Sequence, residues 1–241
     1  MSSSPSIQAD ATSSHPPAHK PDPTILNTNN TSSTTTTSAD NNDASQRGLS
    51  STGASAASKL ASAQMRLRGA LRQFPDFPSP GILFEDILPI FANPSTHEDL
   101  ISALELHVAS AYPTKPDVIV GLDARGFLFG PSLALRLGAA FVPVRKQGKL
   151  PGPCETASYE KEYGQDFFQM QADAIKPGQN VLIVDDIIAT GGSASAAGSL
   201  VKKLGGSLVG YVFILELDFL KGRAKLDAPV YTLLSSQEAK Q

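Results

Sequence analysis

Val181-Leu182-Ile183-Val184-Asp185-Asp186-Ile187-Ile188-Ala189-Thr190-Gly191-Gly192-Ser193 sets an apolar run, two carboxylates and a loop of small residues in direct succession. The four residues before Asp185 are mostly β-branched and follow the turn signal Pro177-Gly178, so they read as a buried parallel strand. Ligands of open α/β sheets collect at the carboxyl ends of such strands. Two adjacent glycines let the backbone bend so that several N–H groups aim at one anion. A helix is expected from near Ser193 through Ala194, Ala196, Ala197, Leu200, Val201 and Leu204 to Gly205-Gly206, with its positive end on the same spot. A phosphate is therefore expected on Ala189, Thr190, Gly191, Gly192 and Ser193. Carboxylates beside a phosphate repel it unless they reach past it, so Asp185 and Asp186 are expected to grip sugar hydroxyls or a metal. A strand ending in a solvated Asp-Asp turn is the plainer alternative. Neither G-x-x-x-x-G-K-[ST] nor a G-x-G-x-x-G after a strand occurs.

The whole chain has 241 residues, is 41% hydrophobic and carries a formal net charge of −3, which makes no electrostatic case for nucleic acid. Its one cysteine, Cys154, excludes an intrachain disulfide and fits a reducing compartment. No run reaches the roughly 18 apolar residues of a membrane span, and the first residues lack a basic segment followed by an apolar one. A soluble, cytoplasmic protein is expected, with no nucleic acid and no membrane as partner. Residues 1–57 are dominated by Ser, Thr, Asn, Ala and Pro, with no aromatic residue, and are expected to be a disordered low-complexity tail.

Residues 58–241 are enough for one α/β domain. Leu60, Ala63, Leu67, Leu71 and Phe74 recur at helical spacing. Ser95-Thr96-His97-Glu98 has the form of a capping box before Leu100, Ile101, Leu104 and Val108. Strands are expected at 118–120, 141–144, the opening stretch and 209–215, with a helix over 131–137. This alternation implies a mostly parallel, twisted sheet with helices on both faces. His97 and His107 stand at no recognisable ligand spacing and are expected to be surface or packing residues.

Two further clusters follow strands. Gly121-Leu122-Asp123-Ala124-Arg125-Gly126-Phe127 presents a tight turn with one cation, either a bidentate anion contact or a plain surface arginine. Arg145, Lys146 and Lys149 crowd three cations into five positions, a solvated face or the seat of a polyanion. Between them and the opening stretch, Tyr159-Glu160-Lys161-Glu162-Tyr163-Gly164 has the composition of a closing lid or an ordinary surface hairpin.

The order apolar strand, acidic pair, Thr-Gly-Gly loop and helix resembles the signature of the type I phosphoribosyltransferases, which bind 5-phosphoribosyl-1-pyrophosphate (PRPP). With Phe74 to Ile87, Leu122 to Ser132, Arg145 to Gly152, Tyr159 to Gly164 and Glu216 to Arg223, the resemblance narrows to the adenine phosphoribosyltransferase family and covers essentially everything after about residue 60. It implies a small N-terminal segment building the purine pocket, and transfer of the phosphoribosyl group to adenine with release of pyrophosphate, in purine salvage. It further implies Ala189 to Ser193 on the 5′-phosphate and Asp185 and Asp186 on the ribose. Asp123, Ala124, Arg125, Arg145, Lys146 and Lys149 would face pyrophosphate. Leu83, Phe84, Glu85 and Ile187 would hold adenine, the first and third through main-chain groups. Glu162, Tyr163 and Arg125 would be catalytic, with Glu162 near the attacking nitrogen. Mg²⁺ would be bound mainly through substrate and water, with no dedicated protein ligand, and the enzyme would be a homodimer. Many relatives carry serine where Ala124 stands and arginine where Glu85 stands, so neither side chain can be given those roles. Two rivals remain: the same fold acting on hypoxanthine, guanine or xanthine, and a non-catalytic regulator that senses PRPP.

Overall fold

The computed structural model describes residues 48–77, 79–160 and 164–235. The first helix, α1 (Gly48–Ala70), begins ten residues before the boundary expected at 57, carried by the helix-favouring alanines Ala56, Ala57, Ala61 and Ala63. The rest of the expected tail lies outside the described residues. The helix also ends sooner than the periodicity implied. Leu71 closes its last turn onto the Arg68 carbonyl at 3.3 Å, and Phe74 belongs to β1 (Arg72–Pro75). Pro75 cannot donate a helical hydrogen bond, and β1 instead pairs antiparallel with β2 (Leu83–Asp86), Phe74 opposite Phe84. After α2 (Leu88–Ala92), α3 (Pro94–Ala111) is capped at Asn93, two positions before the expected Ser95. The Asn93 side chain accepts from the Ser95 N–H at 2.9 Å, with Pro94 in the first helical position. The capping box at 95–98 does not form, because Glu98 is turned to Arg136 at 2.7 Å.

The main sheet is built from β3 (Val118–Leu122), β4 (Ala140–Lys146), β5 (Cys154–Glu160), β6 (Gln165–Gln171), β7 (Asn180–Ile188), β8 (Ser207–Glu216) and β9 (Val230–Ser235). Their order across the sheet is β5-β6-β4-β3-β7-β8-β9. The five strands from β4 to β9 are mutually parallel, while the β5–β6 hairpin joins the β4 edge antiparallel. Alternating residues of β7 serve opposite cores. Leu182 and Val184 pack with Leu67, Leu104 and Leu133, from α1, α3 and α4 (Gly130–Leu137). Val181 and Ile183 pack with Leu200 and Val201 of α5 (Gly192–Lys203). The expected mostly parallel α/β sheet is thus present; β1, β2, β5, β6 and β9 were not anticipated as strands.

Helix α5 lies very close to the sheet. A Cβ on Gly198 would collide with the Tyr211 hydroxyl of β8 and stand 3.2 Å from Leu208. That hydroxyl donates to Asp227 at 3.2 Å, and Asp227 also pairs with Lys202 of the same helix.

His97 and His107 both pack against aromatic rings. His97 meets Phe91 edge-on at 5.3 Å, and His107 stacks on Tyr231 at 3.4 Å. Burial lowers the pKa of His107, favouring the neutral ring.

Candidate active site

The carboxyl ends of β3 and β7 open onto a cavity of about 210 Å³. One wall is Asp123, Ala124 and Arg125, from the turn after β3, where the Asp123–Ala124 peptide is cis. The other runs from Asp185 through Gly191 and on to Ser193 and Ala194. Residues 60 or more positions apart in sequence, Arg125 and Asp185 being the nearest pair, meet because β3 and β7 are parallel neighbours, Gly121 beside Val184.

The α5 side of this cavity is made by backbone. Gly191, the N-cap of α5, has φ +76°, a conformation costly for any residue with a Cβ. It receives no side-chain cap, so the amides of the first turn are left for a ligand. Gly222 lies immediately behind: a Cβ on either glycine would strike a main-chain oxygen, that of Gly222 or of Ala189. Arg223, next in sequence, ties this support to the sheet. It bonds buried Glu216 at 2.5 Å, the Val230 carbonyl at 2.7 Å and the Thr232 hydroxyl at 2.7 Å. Sequence reading quoted Glu216 to Arg223 only as part of a resemblance and missed this buttress. The signal available was a glycine followed by a lone arginine after a strand ending in a carboxylate.

Asp186 is 4% exposed and faces the Arg125 guanidinium, Nε to Oδ2 at 2.9 Å. Its N–H donates to Asp185 Oδ1 at 2.9 Å. Burial raises the pKa of both carboxyls. For Asp185 the rise is large, and the Asp186 charge adds to it; for Asp186, Arg125 works against burial. Two carboxyls kept partly proton-hungry in a cleft suit partners that donate, such as a sugar diol.

Arg145 and Lys146 end β4 at the same sheet edge, outside the cavity lining. Arg145 Nε bonds Asp123 at 3.2 Å and its Nη1 bonds the Lys149 carbonyl at 3.3 Å. Lys146 stands 3.6 Å from Asp166, and Lys149 is exposed. Of the expected adenine residues, Ile187 lines the cavity, while Leu83, Phe84 and Glu85 lie on β2 and do not. Phe84 packs edge-on against Phe77 at 5.1 Å, and Glu85 accepts from Gln73 at 3.2 Å. The segment carrying β2 is anchored by Asp86, buried and bonded to Arg72 at 2.6 Å and to the Leu88 N–H at 2.9 Å. Glu162 and Tyr163 lie outside the described residues.

Among the described residues, no three His, Cys, Asp or Glu side chains converge as a metal cage, and no helix is long and apolar enough to cross a membrane.

Residues 89–241 match the family described as Phosphoribosyl transferase domain. The chain is 65% identical over 176 residues to an adenine phosphoribosyltransferase of Yarrowia lipolytica, covering 73% of this chain and 97% of the relative. It superposes with TM-score 0.71 on the crystal structure of the Saccharomyces cerevisiae adenine phosphoribosyltransferase, complexed with D-2,5-dideoxy-2,5-imino-altritol 1,6-bisphosphate and adenine. The identity is 63%, with coverage of 72% of this chain and 99% of that one. A Trypanosoma brucei adenine phosphoribosyl transferase, solved with AMP, pyrophosphate and ribose-5-phosphate, gives TM-score 0.66 at 26% identity, covering 72% and 79%.

Proposed function

The chain belongs to the adenine phosphoribosyltransferases of the phosphoribosyl transferase family, and from that membership we propose how its residues divide the reaction. The reaction is transfer of the 5-phosphoribosyl group of PRPP to adenine, giving AMP and pyrophosphate, a step of purine salvage. The observation that carries the assignment of roles is the junction of β7 and α5. There, buried Asp186 and half-buried Asp185 are followed, after Ile187 to Thr190, by an uncapped helix start lining the same cavity.

The 5′-phosphate sits on the amides of Ala189 to Ser193 with the Thr190 and Ser193 hydroxyls. Asp185 and Asp186 take the ribose hydroxyls beside it. Arg125 holds the pyrophosphate side; a guanidinium has five N–H donors, and its Asp186 contact uses the one on Nε. Asp123, Ala124, Arg145, Lys146 and Lys149 complete that side. Charge grows on pyrophosphate as it leaves, and fixed donors stabilise it without reorganising. Adenine lies between Ile187 and Phe84, with the main chain of Leu83 and Glu85 reading its edge. Glu162, between Glu160 and Gln165 in the chain, accepts the proton from the attacking nitrogen, with Tyr163 beside it. A group of this kind contributes ~10²–10⁴-fold.

Mg²⁺ fits this site as a substrate-borne ion. The only paired carboxyls in the cavity are Asp185 and Asp186, too few for an all-protein cage, and Mg²⁺ keeps phosphate and water ligands readily. When bound, it neutralises pyrophosphate charge. The enzyme is further taken to be a cytoplasmic homodimer, in line with the family resemblance; light scattering tests the second point.

Turnover with PRPP and a panel of purines, with and without Mg²⁺, tests the whole reading. AMP and pyrophosphate should form from adenine, only with the metal, and hypoxanthine, guanine and xanthine should be poor substrates. Turnover on a 6-oxopurine in preference to adenine would overturn the base assignment. Glu162→Gln should lower kcat by ~10² or more with little change in KM.

A further inference from the structure

One carboxylate of the β5–β6 hairpin, a single pair from the last registered pair Glu160–Gln165, has no place in the reading above. Asp166 lies directly across from Tyr159. Its Oδ2 accepts from the Tyr159 hydroxyl at 3.1 Å, its Oδ1 accepts from the Phe167 N–H at 2.9 Å, and Lys146 Nζ stands 3.6 Å from Oδ2. The first two contacts are firm. Tyr159 leans on Phe168 at 4.7 Å, and Phe168 is the β6 residue registered with Lys146 of β4. Burial, then Asp166 and more distantly Asp123 and Asp185, push the Tyr159 phenol up to about 12, so it keeps its proton and goes on donating. The third contact is loose. It is longer than a charge-assisted hydrogen bond, and the Lys146 side chain is 52% exposed against 24% for Asp166.

Two further cations of this edge also rest on carboxylates, but at shorter range: Arg125 on Asp186 at 2.9 Å and Arg145 on Asp123 at 3.2 Å. Lys146 is therefore the most exchangeable of the three. On the reading that pyrophosphate binds at this edge, we propose that Asp166 is a positioning residue: it holds Lys146 against the hairpin and yields it when pyrophosphate arrives. An exposed pair at this distance is weak, and a group bearing several negative charges outcompetes one carboxylate. Reclaiming Lys146 after reaction loosens the grip on departing pyrophosphate.

The test is product inhibition by pyrophosphate in Asp166→Asn, which keeps the side-chain shape and one of the two acceptor oxygens but drops the charge. The inhibition constant should fall about two- to fivefold, the range an exposed ion pair supports, with KM for adenine and melting temperature unchanged. Asp166→Ser should shift it the same way, and Asp166→Glu should restore the parent value. In a Lys146→Gln background the Asp166→Asn change should do nothing. An unchanged or raised inhibition constant, or an equal shift without Lys146, overturns the proposal. Failure of the parent chain to make AMP would instead refute the functional reading, and that is scored before any variant is made.

Discussion

The two sides of the active-site edge are built from different materials. The side proposed for the phosphate is main chain: Gly191 at positive φ, an uncapped helix start, and Gly222 pressed behind it with no room for a Cβ. The side proposed for pyrophosphate is long side chains, of which Arg125, Arg145 and Lys146 rest on carboxylates. Backbone donors are fixed at folding and carry no rotamer entropy, so they suit the part of the substrate that stays with the product. Cations on flexible stems suit the part that must leave. On the proposed assignment, the same molecule grips permanently with amides and temporarily with side chains.

The contrast can be attacked from its stiff side first. Gly191→Ala sets a Cβ against the Gly222 carbonyl in a left-handed conformation, and should cost ~3 kcal/mol or more of stability and most of the turnover. Thermal unfolding and kcat/KM measure both; retention of normal activity would show that the loop is not rigid. Arg223→Met removes the partner of Glu216, which is 5% exposed, and should destabilise by ~2 kcal/mol, discounted because the arginine is partly solvated. KM for PRPP should rise with it, since the strut behind Gly191 is gone.

The smallest expected stability effect has the opposite sign. The Asp185 carboxyl titrates above its unfolded value, so between the two the native state holds more protons than the unfolded state. Stability therefore falls as pH rises from the ordinary carboxyl value of 3.8 to the raised one, and the cost persists at neutral pH. Asp185→Asn should remove it, raising stability by ~1 kcal/mol at pH 7 while turnover collapses. Denaturant midpoints of both proteins from pH 4 to 8 provide the check; parallel curves would show that Asp185 carries no such burden.

What sequence alone revealed follows the same division. The β7–α5 unit is local: strand, carboxylates, glycines and helix are contiguous, so spacing was enough to place them. The alternating strands and helices of the parallel sheet were legible for the same reason. The pairings were not. That Lys146 meets Asp166, or that Gly222 backs Gly191, depends on which strands become neighbours, and no periodicity records that. The β5 and β6 strands escaped notice because one face is polar and the sequence Glu155 to Glu160 carries little apolar alternation. Phe74 fitted a helical spacing until Pro75 and pairing with β2 claimed it for a strand. The purine segment could be recognised only through resemblance, its residues being few, short-stranded and partly exposed.

The near-contact of Gly198 with Tyr211 has a consequence at the other end of its helix. Gly198 sits six residues along from Gly192, roughly 9 Å at the helical rise, so the helix is a lever with its fulcrum on the hydroxyl of one tyrosine. A methyl group at that fulcrum would tilt the whole rod and swing its charged tip off target. A glycine outside the cavity lining thereby sets the height at which the α5 amides stand in the cavity.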